Sequence, residues 1–250
     1  MDETETQVKH GNYQNYYQFR AEDSRSGILR ECLQTLWNEN NQNQERDTTN
    51  TKVHMIDIGC NSGRFTAKVR EILEQVCNGA LVKAVGIDID ERLCDRARTE
   101  FPEIEFFKGN ILSIAHQQTT RGQAEDPIEQ CMKRLGIERF DVICCFSVLM
   151  YIHLNGGDDG LRSVLDYLCE KGKFLILELQ AWKKYQDQVR RLKRDAGQMY
   201  PLYAELEWRG RGGVLEDHIK AYVASKGFQM VSESAEKNEF DRQLTFFKKI

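Results

Sequence analysis

At 250 residues, with 40% apolar and 30% charged side chains, the chain has the composition of a packed, water-soluble protein of one large domain or two small ones. No stretch approaches the roughly 18 to 20 apolar residues of a membrane span, and the acidic opening MDETETQVKH is neither a signal nor a transit peptide. A net charge of −4 excludes a broad electrostatic grip on nucleic acid, so any such contact must be local.

Residues 1–52 read as an N-terminal arm. GNYQNYYQFR (11–20) crowds tyrosines and an arginine into a polar segment, GILRECLQTLW (27–37) has helical spacing, and NNQNQERDTTNTK (40–52) is a polar linker. From 53 to 250 short apolar strands alternate with helices: strands at 53–58, 81–89, IEFFKG, 140–146 and 173–179, with helices near 64–77, 91–100, 125–135 and 158–169. A basic helix near 183–195 and a helix at 214–225 follow, and FQMVSES and QLTFFKK close the chain as an antiparallel pair. Five βα units and a terminal pair predict a Rossmann-like α/β fold with a mostly parallel seven-stranded sheet. Eight cysteines lie mostly inside apolar patterns with no C-x-x-C pair, and the five histidines are scattered. They read as reduced, buried thiols of an intracellular, cytoplasmic protein without zinc or disulfides.

The first strand runs into MIDIGCNSGRFT, where Asp57, Gly59 and Gly63 bracket a tight turn opening a helix. A nicotinamide fingerprint would be G-x-G-x-x-G. This loop instead fits the D-x-G-x-x-x-G variant of S-adenosylmethionine enzymes, with Asn61 in place of the middle glycine. The second strand ends at Asp88, whose carboxylate can accept both ribose hydroxyls, with Asp90 as its rival. The third runs into Gly109, Asn110 and Ile111, an amide for the adenine edge and an apolar side chain for the ring. Three successive strand ends thus predict one adenosyl pocket for S-adenosyl-L-methionine, the class I methyltransferase arrangement.

After the fourth strand, SVLMYIHLNGGDDG reads as the loop where acceptor meets donor. His153 there is either a donor to an anion or a capped histidine at a helix boundary. LELQAW brings Glu178, Gln180 and Trp182 to a strand end, with a core role for Trp182 as the alternative. The helix KKYQDQVRRLKR (183–194) carries six cations and one acid, which suits either an RNA backbone or a solvated face. WRGRGG (208–213) is a weaker candidate of the same kind.

GNYQNYYQFR, DIGCNSG, GIDID, YIHLNGGDDGL and LELQAW occur in the order found in the bicoid-interacting protein 3 family, which this chain resembles over about residues 11 to 182. The resemblance implies an S-adenosylmethionine-dependent RNA methyltransferase acting on a 5′ phosphate. The family's E-P-Q-P-W motif is here E-L-Q-A-W, without the prolines. One branch methylates the γ-phosphate of a small nuclear RNA 5′ triphosphate; the other methylates 5′ monophosphates of histidine tRNA and microRNA precursors. Met150 stands where the capping branch has a lysine, which points to the monophosphate branch, whereas Arg20 matches the capping branch better. By the same resemblance Tyr16, Arg20 and His153 face the phosphate as catalytic residues. Tyr17, Arg25, Gly59, Asn61, Ser62, Gly63, Asp88, Ile89, Asn110, Ile111 and Phe146 hold the donor, with Arg25 on its methionine carboxylate. The arm covers the active site, and the expected enzyme is a metal-free monomer working on an RNA 5′ end, away from membranes.

Overall fold

The alternation seen in sequence is a partition of side chains between two cores. In β1 (Lys52–Ile58), Met55 belongs to one apolar cluster and Ile56 and Ile58 to the other; in β4 (Val142–Phe146), Cys144 goes with Met55, and Ile143 and Cys145 with Ile56. Strands apolar on both sides need helices on both faces, and that is how the chain is arranged. The structure, a computed structural model, describes residues 8–11, 25–41, 52–117, 126–238 and 240–250, with side chains of α1 described only up to residue 36.

Seven strands form one sheet in the order β3-β2-β1-β4-β5-β7-β6, adding β2 (Leu81–Asp88), β3 (Glu105–Lys108), β5 (Phe174–Glu178), β6 (Phe228–Glu233) and β7 (Leu244–Lys249). The first five run parallel, and β7 is antiparallel to both β5 and β6. This is the Rossmann-like class I fold expected from sequence. Helices α1 (Arg25–Asn41), α2 (Arg64–Val76) and α3 (Glu91–Glu100) contribute Leu29, Val69 and Ala97 to one cluster. The opposite cluster takes residues from α4 (Ile111–Gln117), α5 (Pro127–Leu135), α6 (Leu149–Lys171), α7 (Trp182–Ala196) and α8 (Val214–Ser225). Leu29, Leu33 and Leu36 are buried in the same cluster as Met55, so the described helix of residues 1–52 is a layer of the core.

Two elements depart from expectation. ILSIAHQ forms α4, too short for its periodicity to stand out in sequence. The segment read as a loop after β4 is helical from Leu149, and α6 runs to Lys171 across a kink at Gly157 (φ 67°, ψ −173°). Gly156 and Gly160, one helical turn apart, are where α4 leans on α6: a Cβ on either would stand 2.7–2.8 Å from Leu112. Gly156 and Gly160 therefore permit helix packing, and only Gly157 breaks the helical path. All eight cysteines are free thiols, seven of them buried. Among the described residues no helix is long and apolar enough to cross a membrane.

Candidate active site

A cleft of about 400 Å³ opens at the C-terminal ends of the parallel strands, where open α/β sheets bind ligands. Its first wall is the turn after β1. Gly59 (φ 77°) is forced to be glycine twice over, by its left-handed backbone and because a Cβ would stand 2.9 Å from Val148. The turn's amides are spent internally. Gly59 and Cys60 donate to the Ile87 carbonyl (2.8 and 3.0 Å), Asn61 to Asp88 Oδ2 (2.8 Å), Ser62 to Asn61 Oδ1 (2.8 Å) and Gly63 to the Cys60 carbonyl (3.0 Å). With these amides paired, the turn offers a ligand shape and carbonyls. Such a wall is a poor cradle for a pyrophosphate and a suitable one for a cationic ligand.

Asp88 lies at the cleft with its two oxygens fixed by the Asn61 and Asp90 amides (2.8 and 3.0 Å). Burial pushes its pKa up to about 6, against those two hydrogen bonds. Its rival Asp90 caps α3 by accepting from the Arg92 amide. Asn110 accepts from the Leu112 amide (3.1 Å) and lines the cleft beside Ile89 and Ile111. Asp57 is deeper: Oδ2 accepts from Thr66 (2.6 Å), Oδ1 has no hydrogen-bond partner among the described residues, and burial lifts its pKa to about 7. Arg25, the first residue of α1, lies 3.9 Å over the Phe65 ring and 5.6 Å over Phe146, with a nitrogen 3.6 Å from Glu178 Oε2. A zwitterionic amino-acid group matches this juxtaposition of a buried guanidinium and an unpartnered carboxylate oxygen. The residues therefore fit S-adenosylmethionine: Asp88 and Ile89 for the ribose, Asn110 and Ile111 for the base, Arg25 and Asp57 for the methionine end.

Of the predicted donor residues, Arg25, Gly59, Asn61, Asp88, Ile89, Asn110, Ile111 and Phe146 share the cleft wall. Ser62 and Gly63 do not: Ser62 is buried, and Gly63 opens α2 so close to Phe106 that a Cβ would lie 2.6 Å from that ring. Tyr16, Tyr17 and Arg20 lie outside the described residues. The chain is nonetheless anchored at the cleft, with His10 and Gly11 in its wall and Arg25 across from them. Gln188 and Tyr200 donate to the Val8 and Lys9 carbonyls at 2.6 and 2.8 Å, and Asn155 to Lys9 at 3.2 Å.

His153 departs from its expected place. It is fully buried behind the wall, because the helical pitch of α6 turns Tyr151, Ile152 and Asn155 to the cleft and His153 toward α7. Burial lowers its pKa, so the ring is neutral: Nε2–H donates to Asp158 (2.8 Å), and Nδ1 accepts from Tyr185 OH (3.3 Å). Asp158 also receives the Glu207 and Trp208 amides (2.7 and 3.1 Å), so the pair ties the kink of α6 to the segment after α7. Met150 is likewise buried in the core, so a side chain there does not face the cleft and its charge says nothing of the acceptor. Trp182 is a core residue stacked between Tyr185 and Tyr203 (5.4 and 5.5 Å).

Sequence reasoning found only part of the wall opposite Asp88. Ser147 (φ 61°) follows β4, Gln180 follows β5, and Phe240 and Arg242 come from the connection between β6 and β7. Glu178, fully buried, binds them together by accepting from Ser147 Oγ and Asn238 Nδ2. Gln180 was singled out for its place after the strand, whereas nothing in NEFDRQ marks Arg242.

Comparison with known proteins gives the geometry its relatives. Residues 140–249 match the family model described as Bicoid-interacting protein 3 (Bin3), and residues 56–174 match a model described as Methyltransferase domain. A pre-miRNA 5′-monophosphate methyltransferase of Xenopus laevis is 29% identical over 243 residues, covering 96% of this chain and 91% of that protein. The U6 snRNA methylphosphate capping enzyme Amus of Drosophila melanogaster is 30% identical over 232 residues, covering 90% and 67%. Among solved structures, the N-methyltransferase NodS of Bradyrhizobium japonicum with S-adenosyl-L-homocysteine covers 99% of both chains at a TM-score of 0.55 and 14% identity, a likeness of fold.

Proposed function

The chain belongs to the Bicoid-interacting protein 3 family of S-adenosylmethionine-dependent RNA methyltransferases, and from that premise we propose that it methylates the 5′-terminal monophosphate of a small RNA, a histidine tRNA or microRNA precursor. The observation that carries the acceptor is the near end-to-end match to a relative named for 5′-monophosphate methylation, over 91% of that protein's length. A second reading, methylation of the γ-phosphate of a small nuclear RNA triphosphate, is favoured by the Drosophila relative. With Met150 in the core, the preference for a monophosphate rests on the relatives. We further propose that the enzyme works as a monomer in the cytoplasm, in RNA processing, which its reduced thiols suit.

Bound in the cleft, S-adenosylmethionine supplies a methyl on a sulfonium, which a phosphate oxygen takes as the C–S bond breaks. The protein's own task is alignment. Asp88 and Asn110 would hold one end of the donor and Arg25 the other, in a cleft whose wall also carries Ser147 and Gln180. A phosphate monoester carries about −1.5 to −2 charges at pH 7, so no side chain need remove a proton, and holding the reactants in line provides most of the rate. Tyr16 and Arg20 are proposed to close on the phosphate and Tyr17 on the donor. His153 acts on the site by holding Tyr151 and Asn155 in place.

One assay tests this reading: labelled S-adenosylmethionine with one RNA sequence bearing a 5′ hydroxyl, monophosphate or triphosphate. Label on the monophosphate alone is expected. Label mainly on the triphosphate selects the capping reaction, and label on the hydroxyl form refutes both.

A further inference from the structure

The wall formed by Ser147, Gln180 and Arg242 holds more unspent hydrogen-bonding capacity than the fold requires. Two guanidinium groups, Arg25 and Arg242, stand 3.6 and 3.8 Å from the single carboxylate of Glu178. Arg242 donates to Ser147 Oγ, yet its Nε is buried with no hydrogen-bond partner among the described residues. Gln180 donates from Nε2 to the Ser147 carbonyl (3.1 Å), and its Oε1 is likewise buried without a partner. Native proteins rarely leave buried polar atoms unpaired, and here two belong to neighbouring residues of the same cleft wall.

The loop presenting Arg242 is braced. Asn238 Oδ1 accepts from the Phe240 and Arg242 amides (2.9 and 3.2 Å), the Asn238 amide donates to the Arg242 carbonyl (2.9 Å), and Nδ2 reaches Glu178. Ser234 and Gln243 close its base, at 3.0 Å to the Leu244 amide and 2.9 Å to the Ser234 carbonyl. The sheet order also places it away from the adenosyl wall: β7 lies four strands from β2, or about 19 Å at the usual spacing. A donor whose base and ribose sit at β2 and β3 does not reach there with those groups.

We propose that Arg242, with Gln180 and Ser147, forms a phosphomonoester subsite that receives the RNA 5′ phosphate, an inference that rests on the acceptor proposed above. A phosphomonoester supplies anionic oxygens for the guanidinium and, in its monoanion, which is the minor form above its second ionisation near pH 6, a P–O–H for the amide oxygen. Arg242 and Gln180 hold and orient the acceptor; Glu178 is a positioning residue that fixes Ser147 and the arginine.

The test compares binding of one oligoribonucleotide carrying either a 5′ monophosphate or a 5′ hydroxyl, in the presence of S-adenosylhomocysteine, by wild type, Arg242→Ala and Arg242→Lys. Wild type is expected to prefer the phosphorylated form, by about 10- to 100-fold for one charge-assisted hydrogen-bonded contact. A wild type without that preference fails the proposed acceptor and not the subsite alone. Arg242→Ala is expected to lose the preference while keeping its affinity for the hydroxyl form and for S-adenosylhomocysteine. Arg242→Lys, which keeps the charge without the fork, is expected to fall between. If Arg242→Ala does not fold, judged by its melting transition, the lysine variant carries the decision. A preference that survives in a folded variant overturns the proposal. So does a loss confined to S-adenosylhomocysteine binding, which would assign Arg242 to the donor.

Discussion

The two sides of the cleft are built on different principles. The side proposed for the donor uses three strand ends in succession, and each brings its cleft residues within a few positions of the strand: Gly59 and Asn61, Asp88 and Ile89, Asn110 and Ile111. The opposite side gathers residues 10–11, 147–155, 180, 191 and 240–242, drawn from segments far apart in the chain and joined by Glu178 and by the turns of α6. The first kind of wall is written in short motifs, because one strand and its turn fix both backbone and side chain. The second exists only after β7 has inserted between β5 and β6.

Removing the donor-side anchor should affect the donor alone. In Asp88→Asn one carboxylate oxygen becomes an amide nitrogen, so one of the two backbone amides now facing Asp88 loses its acceptor and the ribose loses a charged partner. At roughly 1.5–3 kcal/mol for a hydrogen bond to a charged group, S-adenosylhomocysteine affinity should fall about 100-fold by calorimetry, with RNA affinity little changed. A fall in RNA binding of the same size would break the division of the cleft into two sides.

The same wall should be visible in the pH dependence of stability. Asp88 and Asp57 ionise near 3.8 when unfolded and at about 6 and about 7 in the fold. The native state therefore binds more protons in between, so their contribution is complete below pH 4 and is lost as pH rises through 6 for Asp88 and 7 for Asp57. For Asp88 the loss is on the order of 3 kcal/mol, spread over the two pH units. Thermal melting of the ligand-free protein should weaken from pH 5 to 7.5, and Asp88→Asn should flatten that slope. An unchanged slope would mean that Asp88 does not hold its proton in the fold.

How much of this was legible follows from the same contrast. The strands and the mostly parallel seven-stranded sheet came from apolar runs of β-forming residues, and the donor turn from the spacing of Asp57, Gly59 and Gly63. The segment after β4 was read as a loop and is a helix. Gly156 and Gly157 do not decide this by type, because a glycine that relieves a helix crossing and one that breaks a helix are the same letter, and contact with Leu112 tells them apart. His153 misled for a related reason. A residue one position from Ile152 on a helix points about 100° away from it, so reading the segment as a loop assigned the wrong side chain to the cleft. Arg242 carried no local signal, since its importance comes from Glu178, which lies in a different strand.

On the acceptor side, the pair His153–Asp158 gives the next test. His153→Ala leaves the Tyr185 hydroxyl and one Asp158 hydrogen bond without a partner in a buried site, which should cost roughly 1–3 kcal/mol of stability. Because the ring holds the α6 turn carrying Tyr151 and Asn155, KM for RNA should rise while S-adenosylhomocysteine affinity stays put. His153→Gln, able to keep one of the two hydrogen bonds, should recover part of both. An effect on kcat alone, with unchanged melting and KM, would instead mean that the imidazole reaches the phosphate.

The smallest effect is expected from the outer face of α7. Arg191 lines the cleft, and Lys183, Arg190, Lys193 and Arg194 are exposed beyond it, so the basic charge of the helix begins at the active site and leads away from it. Part of it is already compensated: Arg190 reaches Asp187 at 2.5 Å, and Arg191 and Arg194 reach Asp195 at 3.5 and 2.6 Å. Exposed pairs of this kind contribute between 0 and 1 kcal/mol, so replacing these residues should leave the fold intact. If the helix follows the RNA backbone, Lys183→Ala and Arg190→Ala should each weaken binding only a few-fold at low salt, and equally for 5′-phosphate and 5′-hydroxyl RNA. Each should also reduce the slope of log affinity against log salt by about 0.7 to 0.9, the counterion released per phosphate contact. That signature separates the helix from Arg242, whose loss should abolish the 5′-phosphate preference. A slope unchanged in both variants would leave α7 a solvated face and confine recognition to the cleft, a result in keeping with a protein whose net charge is −4.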